Sequence, residues 1–263
     1  MQTKPRNGFL LFLLLGLFIF FNCAESGAST LSSFKQGRWY MDIAGGASSV
    51  SMPGQTSVSN GTLLMFPLNN DTYSTHSPYT NLNLGLGGGY QWQFDRTYVP
   101  YFNLGIQYTH IFTSHVEGSV TQFSLPIFNN YNYKFDYDAN VLVLNGKLDL
   151  IEYHSFLPYI ALGIGAAYND FSNYHEYAKP SVTPRTTPNY GSHNTANFTY
   201  TLGAGVDYHC SNKIWLSLGY EYDSLDKLKS NRGRSTWSTT QLTFDSLKNN
   251  MVFASLSYFP ATL

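Results

Sequence analysis

The chain has 263 residues, a net charge of −1 and two cysteines. Charged residues make up 12% of it, against a usual share of about 25%, and aromatic residues make up 17%. A net charge near zero excludes a strongly basic nucleic-acid-binding protein, and two cysteines exclude a disulfide-rich scaffold.

The first residues predict a secretory signal peptide. Two basic residues precede an apolar run over residues 8–21, and small residues follow it. The run is about 14 residues long, which is shorter than the ~20 residues of a comfortable membrane helix. We expect cleavage after Ser26 or Ala28, which assigns residues 1–28 to the signal peptide and 29–263 to one mature domain.

No metal or cofactor site is predicted. The seven histidines are scattered, without Cys/His pairs at the spacing of metal ligands. Cys23 raises the alternative of a lipid anchor, although bulky residues precede it, and loss of Cys23 with the signal would leave Cys210 as a single thiol. The sequence therefore offers neither a metal centre nor an intramolecular disulfide in the mature domain.

Alternation of large apolar residues with small or polar ones predicts β-strands along the mature chain. It is clearest where Leu-Gly-x-Gly-x-x-Tyr recurs, at residues 84–90, 162–168 and 202–208. A period of two places the two sets of residues on opposite faces of a strand. The residues on one of these faces are small and sparsely charged, and those on the other are large and apolar. We therefore expect the small residues to fill the interior of a narrow barrel and the large apolar residues to contact lipid.

The fold class predicted from this pattern is all-β, a closed antiparallel transmembrane β-barrel with four long extracellular loops. Eight strands are expected, at residues 38–47, 79–92, 98–112, 135–150, 157–169, 197–208, 214–222 and 250–259. Short turns at 93–97, 152–156 and 209–213 alternate with long loops at 48–78, 113–134, 170–196 and 223–249. Outer-membrane barrels show this alternation of periplasmic turns and outer loops. Ten strands are the alternative, with extra strands at 63–66 and 242–244.

The fourth predicted strand changes phase. Its apolar residues occupy odd positions over 135–143 and even positions over 142–150. One interpretation is a β-bulge near residues 141–144, which would restore both halves. The other is that the first half rises above the bilayer, where facing is less constrained.

Charged residues on the inward face are few and mostly acidic. They are Lys147, Asp149, Asp42, Asp207 and Glu221. A lysine among packed strands loses hydration and needs a carboxylate partner, so we expect a polar network that plugs the lumen around Lys147. The alternative is a hydrated lysine in a wet lumen.

A basic run lies in the last predicted loop. Lys227, Lys229, Arg232 and Arg234 are close enough in sequence to bind lipopolysaccharide phosphates through charge-assisted hydrogen bonds. A solvated loop is the simpler interpretation.

Three stretches carry a likeness to known proteins: WYMDIAGG at residues 39–46, VLNGKLDL at 143–150 and NMVFASLSYF at 250–259. With them, the mature chain resembles the small eight-stranded outer-membrane barrels of the OmpA-like, OmpX-like and opacity-protein families. The resemblance implies the bacterial outer membrane, with its lipid and lipopolysaccharide as partners, and a closing strand read by the barrel-assembly machinery. The chain departs from the pattern at residues 260–263, which follow the terminal aromatic residue.

We expect surface-exposed loops that serve interaction, adhesion with a host or extracellular ligand, or envelope integrity. A narrow pore or a channel for small hydrophobic solutes, as in the similar OmpW-like barrels, is the alternative. A lipid-modifying enzyme ranks lower, because no catalytic signature is complete. Its candidate pairs are Asp207 with His209, His110 with His115, and His154 with Ser155. We therefore expect no enzyme, no catalytic residue, no cofactor and no nucleic-acid partner.

Overall fold

The computed structural model describes residues 37–234 and 240–260. The predicted signal peptide lies outside the described residues. The strands are β1 (Arg38–Ser51), β2 (Gln55–Ser59), β3 (Asn70–Thr75), β4 (Tyr79–Gln93), β5 (Tyr101–Thr121), β6 (Asn129–Asp149), β7 (Phe156–Ala178), β8 (His193–His209), β9 (Ile214–Lys229) and β10 (Thr243–Tyr258). Within these ranges, no helix is long and apolar enough to cross a membrane.

Eight long antiparallel strands form a closed ring. The sheet order runs β5-β4-β1-β10-β9-β8-β7-β6, and the additional pairing of β5 with β6 joins its two ends. Strands β2 and β3 form a hairpin outside this ring, and β3 pairs with the far end of β5. The predicted eight-stranded barrel is thus confirmed. The ten-strand alternative is wrong, because residues 63–66 form no strand and Thr243 begins β10.

The facing of the strands follows the sequence pattern. Leu104, Ile160 and Leu202 are exposed on the outside of the barrel, whereas Asn103 and Ser217 are buried inside. Exposed aromatic residues flank the outward apolar band at both ends, as expected of residues at the lipid headgroups. They include Trp39, Phe156 and Tyr258 at the end with the short turns, and Tyr108, Tyr168 and Tyr220 at the other end. The short turns mark the periplasmic end.

The strands extend farther on the extracellular side than the sequence predicts. β5 continues to Thr121 instead of ending at residue 112, and β7 continues to Ala178 instead of ending at residue 169. Lipid-facing alternation stops at the outer interface, so it cannot mark these ends. Beyond the interface the large apolar residues face inward and polar residues face outward.

Strand β6 shows the change of phase without a bulge at residues 141–144. Its odd-numbered residues point inward along most of its length, from Tyr131 to Asp149. The inward set is apolar at the extracellular end and polar at the periplasmic end. The bulge predicted at 141–144 is therefore wrong, and the register shift nearest to it lies in the neighbouring strand β5, between Ile111 and Ser114.

The outward position of Leu162, midway along the lipid-facing part of β7, yields a test of the membrane assignment. We predict that Leu162→Arg lowers the free energy of unfolding in lipid by ~2–4 kcal/mol, because the guanidinium would lie near the bilayer midplane. Chemical denaturation in lipid vesicles measures it. Tyr153→Arg, at an exposed residue of a periplasmic turn, is the control and should change stability little. Equal effects of the two changes would contradict the assignment.

Candidate functional site

The periplasmic end of the lumen is closed by an aromatic cluster. Tyr101, Leu157, Trp215 and Phe259 are buried together there. The guanidinium of Arg38 lies 3.8 Å from the centre of the Phe259 ring and 5.0 Å from that of Trp215. Arg38 also donates hydrogen bonds to Gln91 Oε1 and to the carbonyl of Asn212, both at 2.7 Å. Side chains from β1, β4, β5, β7 and β9, together with Phe259 just after β10, therefore fill this end.

The middle of the lumen is polar and contains an ion pair. Lys147 Nζ on β6 lies 2.6 Å from Asp207 Oδ2 on β8, across the intervening strand β7. The ammonium is also 4.6 Å from the centre of the Tyr159 ring. Gly205 and Gly219 make room for that tyrosine, since a Cβ at either position would overlap its hydroxyl group. The ion pair is thus formed among side chains of β6, β7 and β8, with 23% of the Lys147 side chain exposed.

The other residues of the predicted network lie in the same layer without an ion pair to Lys147 among the described residues. Asp149 accepts a 3.5 Å hydrogen bond from Asn103 Nδ2. Asp42 and Glu221 line a cavity of about 70 Å³ beside Lys147. A cavity of this size holds about two water molecules. It is too small for a solute of drug size.

Two members of the polar layer, Asp223 and Asn249, were not predicted from the sequence. Asp223 is buried and accepts a 2.8 Å hydrogen bond from Asn249 Nδ2. The signal was available, because Asp223 lies two residues after Glu221 and so shares its face. It was missed because the strand was predicted to end at residue 222, whereas β9 continues to Lys229.

The extracellular half of the barrel is filled by an apolar core. Aromatic rings from β6, β7 and β10 stack at its centre, with ring-centre distances of 4.4 Å for Phe135–Phe171 and 5.5 Å for Phe135–Phe244. Leucines 225, 228, 242 and 247 are buried in the same cluster. The lumen is therefore packed by side chains above the polar layer as well as below it.

Loops fold over this core and form an extracellular cap, which consists of the β2–β3 hairpin and residues 122–128 and 179–192. Arg185 connects its parts: Nη1 lies 2.6 Å from Asp71 Oδ2 on β3, and Nη2 lies 2.9 Å from Glu176 Oε1 on β7. The guanidinium is 4.9 Å from the centre of the Tyr131 ring. The other carboxylate oxygen of Asp71 accepts hydrogen bonds from Asn60 Nδ2 and from the backbone N–H of Phe123.

The electrostatics of the cap follow from burial. Burial alone would lower the pKa of Arg185, but Glu176 and Asp71 outweigh it and hold the pKa above its ordinary value. Burial raises the pKa of Glu176, and Arg185 and the Tyr174 hydroxyl offset only part of that rise. Two buried carboxylates therefore depend on one guanidinium. The sequence analysis missed all three residues, because Arg185 and Asp71 are 114 positions apart.

The basic residues of the last loop lie together at the extracellular rim. Lys227 and Lys229 are on β9, and Lys227 Nζ is 3.8 Å from Asp245 Oδ1. Arg232 and Arg234 are exposed beyond the strand. The arrangement leaves positive charge on the extracellular part of the barrel, beyond the Tyr220 end of the lipid-facing band.

The candidate catalytic pairs do not assemble. Asp207 binds Lys147, while the His209 ring packs on Trp215 with a centre distance of 3.7 Å. His110 bonds to Asn140, and His115 bonds to Asp136 at 2.5 Å. His154 packs edge-to-face on Tyr153. Among the described residues, no group of three or more His, Cys, Asp or Glu side chains could hold a metal ion.

The molecule is thus a closed ring of strands with a lipid-facing apolar band and a lumen filled by side chains. Residues 23–258 match the family described as the outer membrane protein beta-barrel domain. The chain belongs to this family. Membership places it in the bacterial outer membrane and confirms the suspected resemblance to small outer-membrane barrels. No curated protein matches the sequence.

Solved structures of similar fold include several outer-membrane barrels. OprG from Pseudomonas aeruginosa is 15% identical, with a TM-score of 0.50 and coverage of 86% of this chain and 98% of that one. Neisserial surface protein A is 9% identical, with a TM-score of 0.43 and coverage of 85% and 99%. The outer membrane protease OmpT from Escherichia coli is 10% identical, with a TM-score of 0.43 and coverage of 88% and 99%. These likenesses concern the fold alone.

The Lys147–Asp207 pair yields a prediction about the polar layer. Lys147→Met leaves the buried Asp207 carboxylate without its cation and should lower the free energy of unfolding by ~3–5 kcal/mol. Thermal or urea unfolding in detergent micelles measures the loss. The double variant Lys147→Met/Asp207→Leu removes both charges and should recover most of it. A double variant as unstable as the single one would mean that the ion pair is not the source of the effect.

Arg185 yields a prediction about the cap. Arg185→Met strands Asp71 and Glu176, so the hairpin should detach locally while the barrel stays folded. Hydrogen exchange of residues 55–75 should become at least about tenfold faster, with the exchange of residues 157–168 unchanged. Arg234→Met, at an exposed arginine, is the matched control. Unchanged exchange in Arg185→Met would contradict the role of Arg185 in the cap.

Proposed function

We propose that the protein is a surface-exposed interaction barrel with a sealed lumen, and that it is neither a pore nor an enzyme. The observation that carries the proposal is the filling of the lumen from both ends. The Arg38 and Trp215 layer closes the periplasmic end, and the Phe135 cluster closes the extracellular half. Eight strands enclose an interior just wide enough for side chains, so this filling leaves little room for a solute path.

The extracellular loops, in contrast, form an ordered surface. Three connections are joined through the buried Asp71 carboxylate, and aromatic residues of the core lie directly beneath them. Recognition on rigid barrels commonly resides in such loops. The cap therefore supports contact with a molecule outside the cell, in preference to transport through the barrel.

We also propose a second contact, with lipopolysaccharide of the protein's own membrane. Lys227, Lys229, Arg232 and Arg234 could bind the phosphate groups of lipopolysaccharide through charge-assisted hydrogen bonds. For biogenesis, the closing strand β10 is the segment that we propose the barrel-assembly machinery reads. Both contacts belong to a protein resident in the outer membrane.

Single-channel recording of the refolded protein tests the sealed lumen. We expect no steady conductance at neutral pH, because side chains occupy both ends of the lumen.

A cell-attachment assay tests the role of the loops. Cells that express a variant without residues 55–74 should lose attachment to a surface that the full-length protein binds. Tyr153→Ser, in a periplasmic turn, controls for surface expression. A conductance that persists after the loop deletion would overturn the proposal in favour of a pore.

A further inference from the structure

The extracellular cap presents large apolar side chains to water. In the loop between β2 and β3, Leu63 is fully exposed, and Met65 and Phe66 are 86% and 78% exposed. In the segment between β5 and β6, Ile127 is 80% exposed. With Leu64 and Phe128 these residues form what we call the apolar crown. Contiguous exposed apolar residues on a surface loop mark a contact site, whereas single ones need no explanation.

The crown is held on a frame of hydrogen bonds. Asn60 closes the base of the first loop, with its N–H donating to Asn69 O at 2.9 Å and its Nδ2 to Leu68 O at 3.1 Å. Ser124 Oγ donates to Asn70 O at 3.0 Å and so docks the second segment on the hairpin. The two parts of the crown therefore project from one connected base.

Charge is excluded from the crown. Residues 53–70 and 118–133 contain no Asp, Glu, Lys, Arg or His. Of the nearby acidic groups, Asp71 and Glu176 are both bound by Arg185. A cation does lie at the base, where Lys179 Nζ donates to Asn129 Oδ1 at 2.8 Å. Apolar side chains with a cation behind them match the hydrocarbon and the anionic headgroups of a lipid leaflet.

The crown lies far above the membrane that holds the barrel. β5 runs from Phe112, an exposed residue near the outer interface, to Thr121, where it pairs with Thr72 of β3. At ~3.3 Å per residue and a tilt of ~40°, this segment rises roughly 20 Å. The loop that carries Leu63 lies beyond the Thr72 end of β3. Its target is therefore outside the protein's own bilayer.

We propose that the apolar crown inserts into the outer leaflet of a second lipid bilayer apposed to the cell surface. The crown is a protrusion of neighbouring side chains, and a fluid leaflet accepts such a shape without a preformed pocket. The absence of charge within the crown removes the cost of desolvating ions in that leaflet. The inference rests on the proposed function, because it takes the loops as the contact surface and names what they contact.

Vesicle capture tests the inference. The full-length protein in phosphatidylcholine nanodiscs is mixed with vesicles of phosphatidylcholine, with or without phosphatidylglycerol, and co-flotation is measured. We expect capture by both kinds of vesicle. Leu63→Ser/Met65→Ser/Phe66→Ser should weaken it at least about tenfold, because most of the buried apolar area is lost. Tyr98→Ser/Tyr153→Ser, at two exposed aromatic residues of the periplasmic turns, is the control and should leave capture unchanged.

A second measurement applies if the triple variant folds poorly. Leu63→Trp should show fluorescence quenching by brominated lipid that is present in the vesicles and absent from the nanodiscs. No capture of the unchanged protein, capture independent of the crown, or an unquenched Trp at position 63 would overturn the inference. Crown-dependent self-association of the protein in detergent micelles, where no bilayer is present, would overturn it too, by identifying a second copy of the chain as the partner. A steady conductance overturns the proposed function instead, so the two failures are distinguishable.

Discussion

The structure depends on one constraint, which is that backbone polar groups inside a bilayer must find partners within the protein. Eight tilted strands satisfy it by closing on themselves through the β5–β6 pairing. Closure with this number of strands leaves an interior that side chains fill. The layered lumen follows, with aromatic packing around Trp215, a charged pair at Lys147 and an apolar core around Phe135.

The same closure is the reason that we assign function to the loops. Side chains occupy the interior, and the extracellular cap above it is ordered around a buried carboxylate. Asp71 accepts hydrogen bonds from Asn60, Phe123 and Arg185, which belong to three different connections. A charged group can be buried in this way only if it is fully bonded, so the cap is ordered as one unit.

The extracellular surface is divided chemically as a result. The crown around Leu63 and Ile127 is neutral and apolar, whereas the rim around Lys229 and Arg232 is basic. The crown projects from the hairpin loop, whereas the basic residues lie at the end of β9 and in the segment after it. These two chemically different surfaces are the ones to which we assign the proposed contacts.

The sequence by itself determined the barrel and its facing, because lipid contact imposes a period of two that is readable in residues such as Leu104, Ile160 and Leu202. It also showed that Lys147 needed a carboxylate. Only the tertiary structure decided that the partner is Asp207, since strand register brings together residues 60 positions apart. Tertiary structure also decided the strand ends and the cap. Above the membrane, the alternation of apolar and polar residues no longer reflects contact with lipid. The pairing of Arg185 with Asp71 joins segments whose sequences share no local pattern.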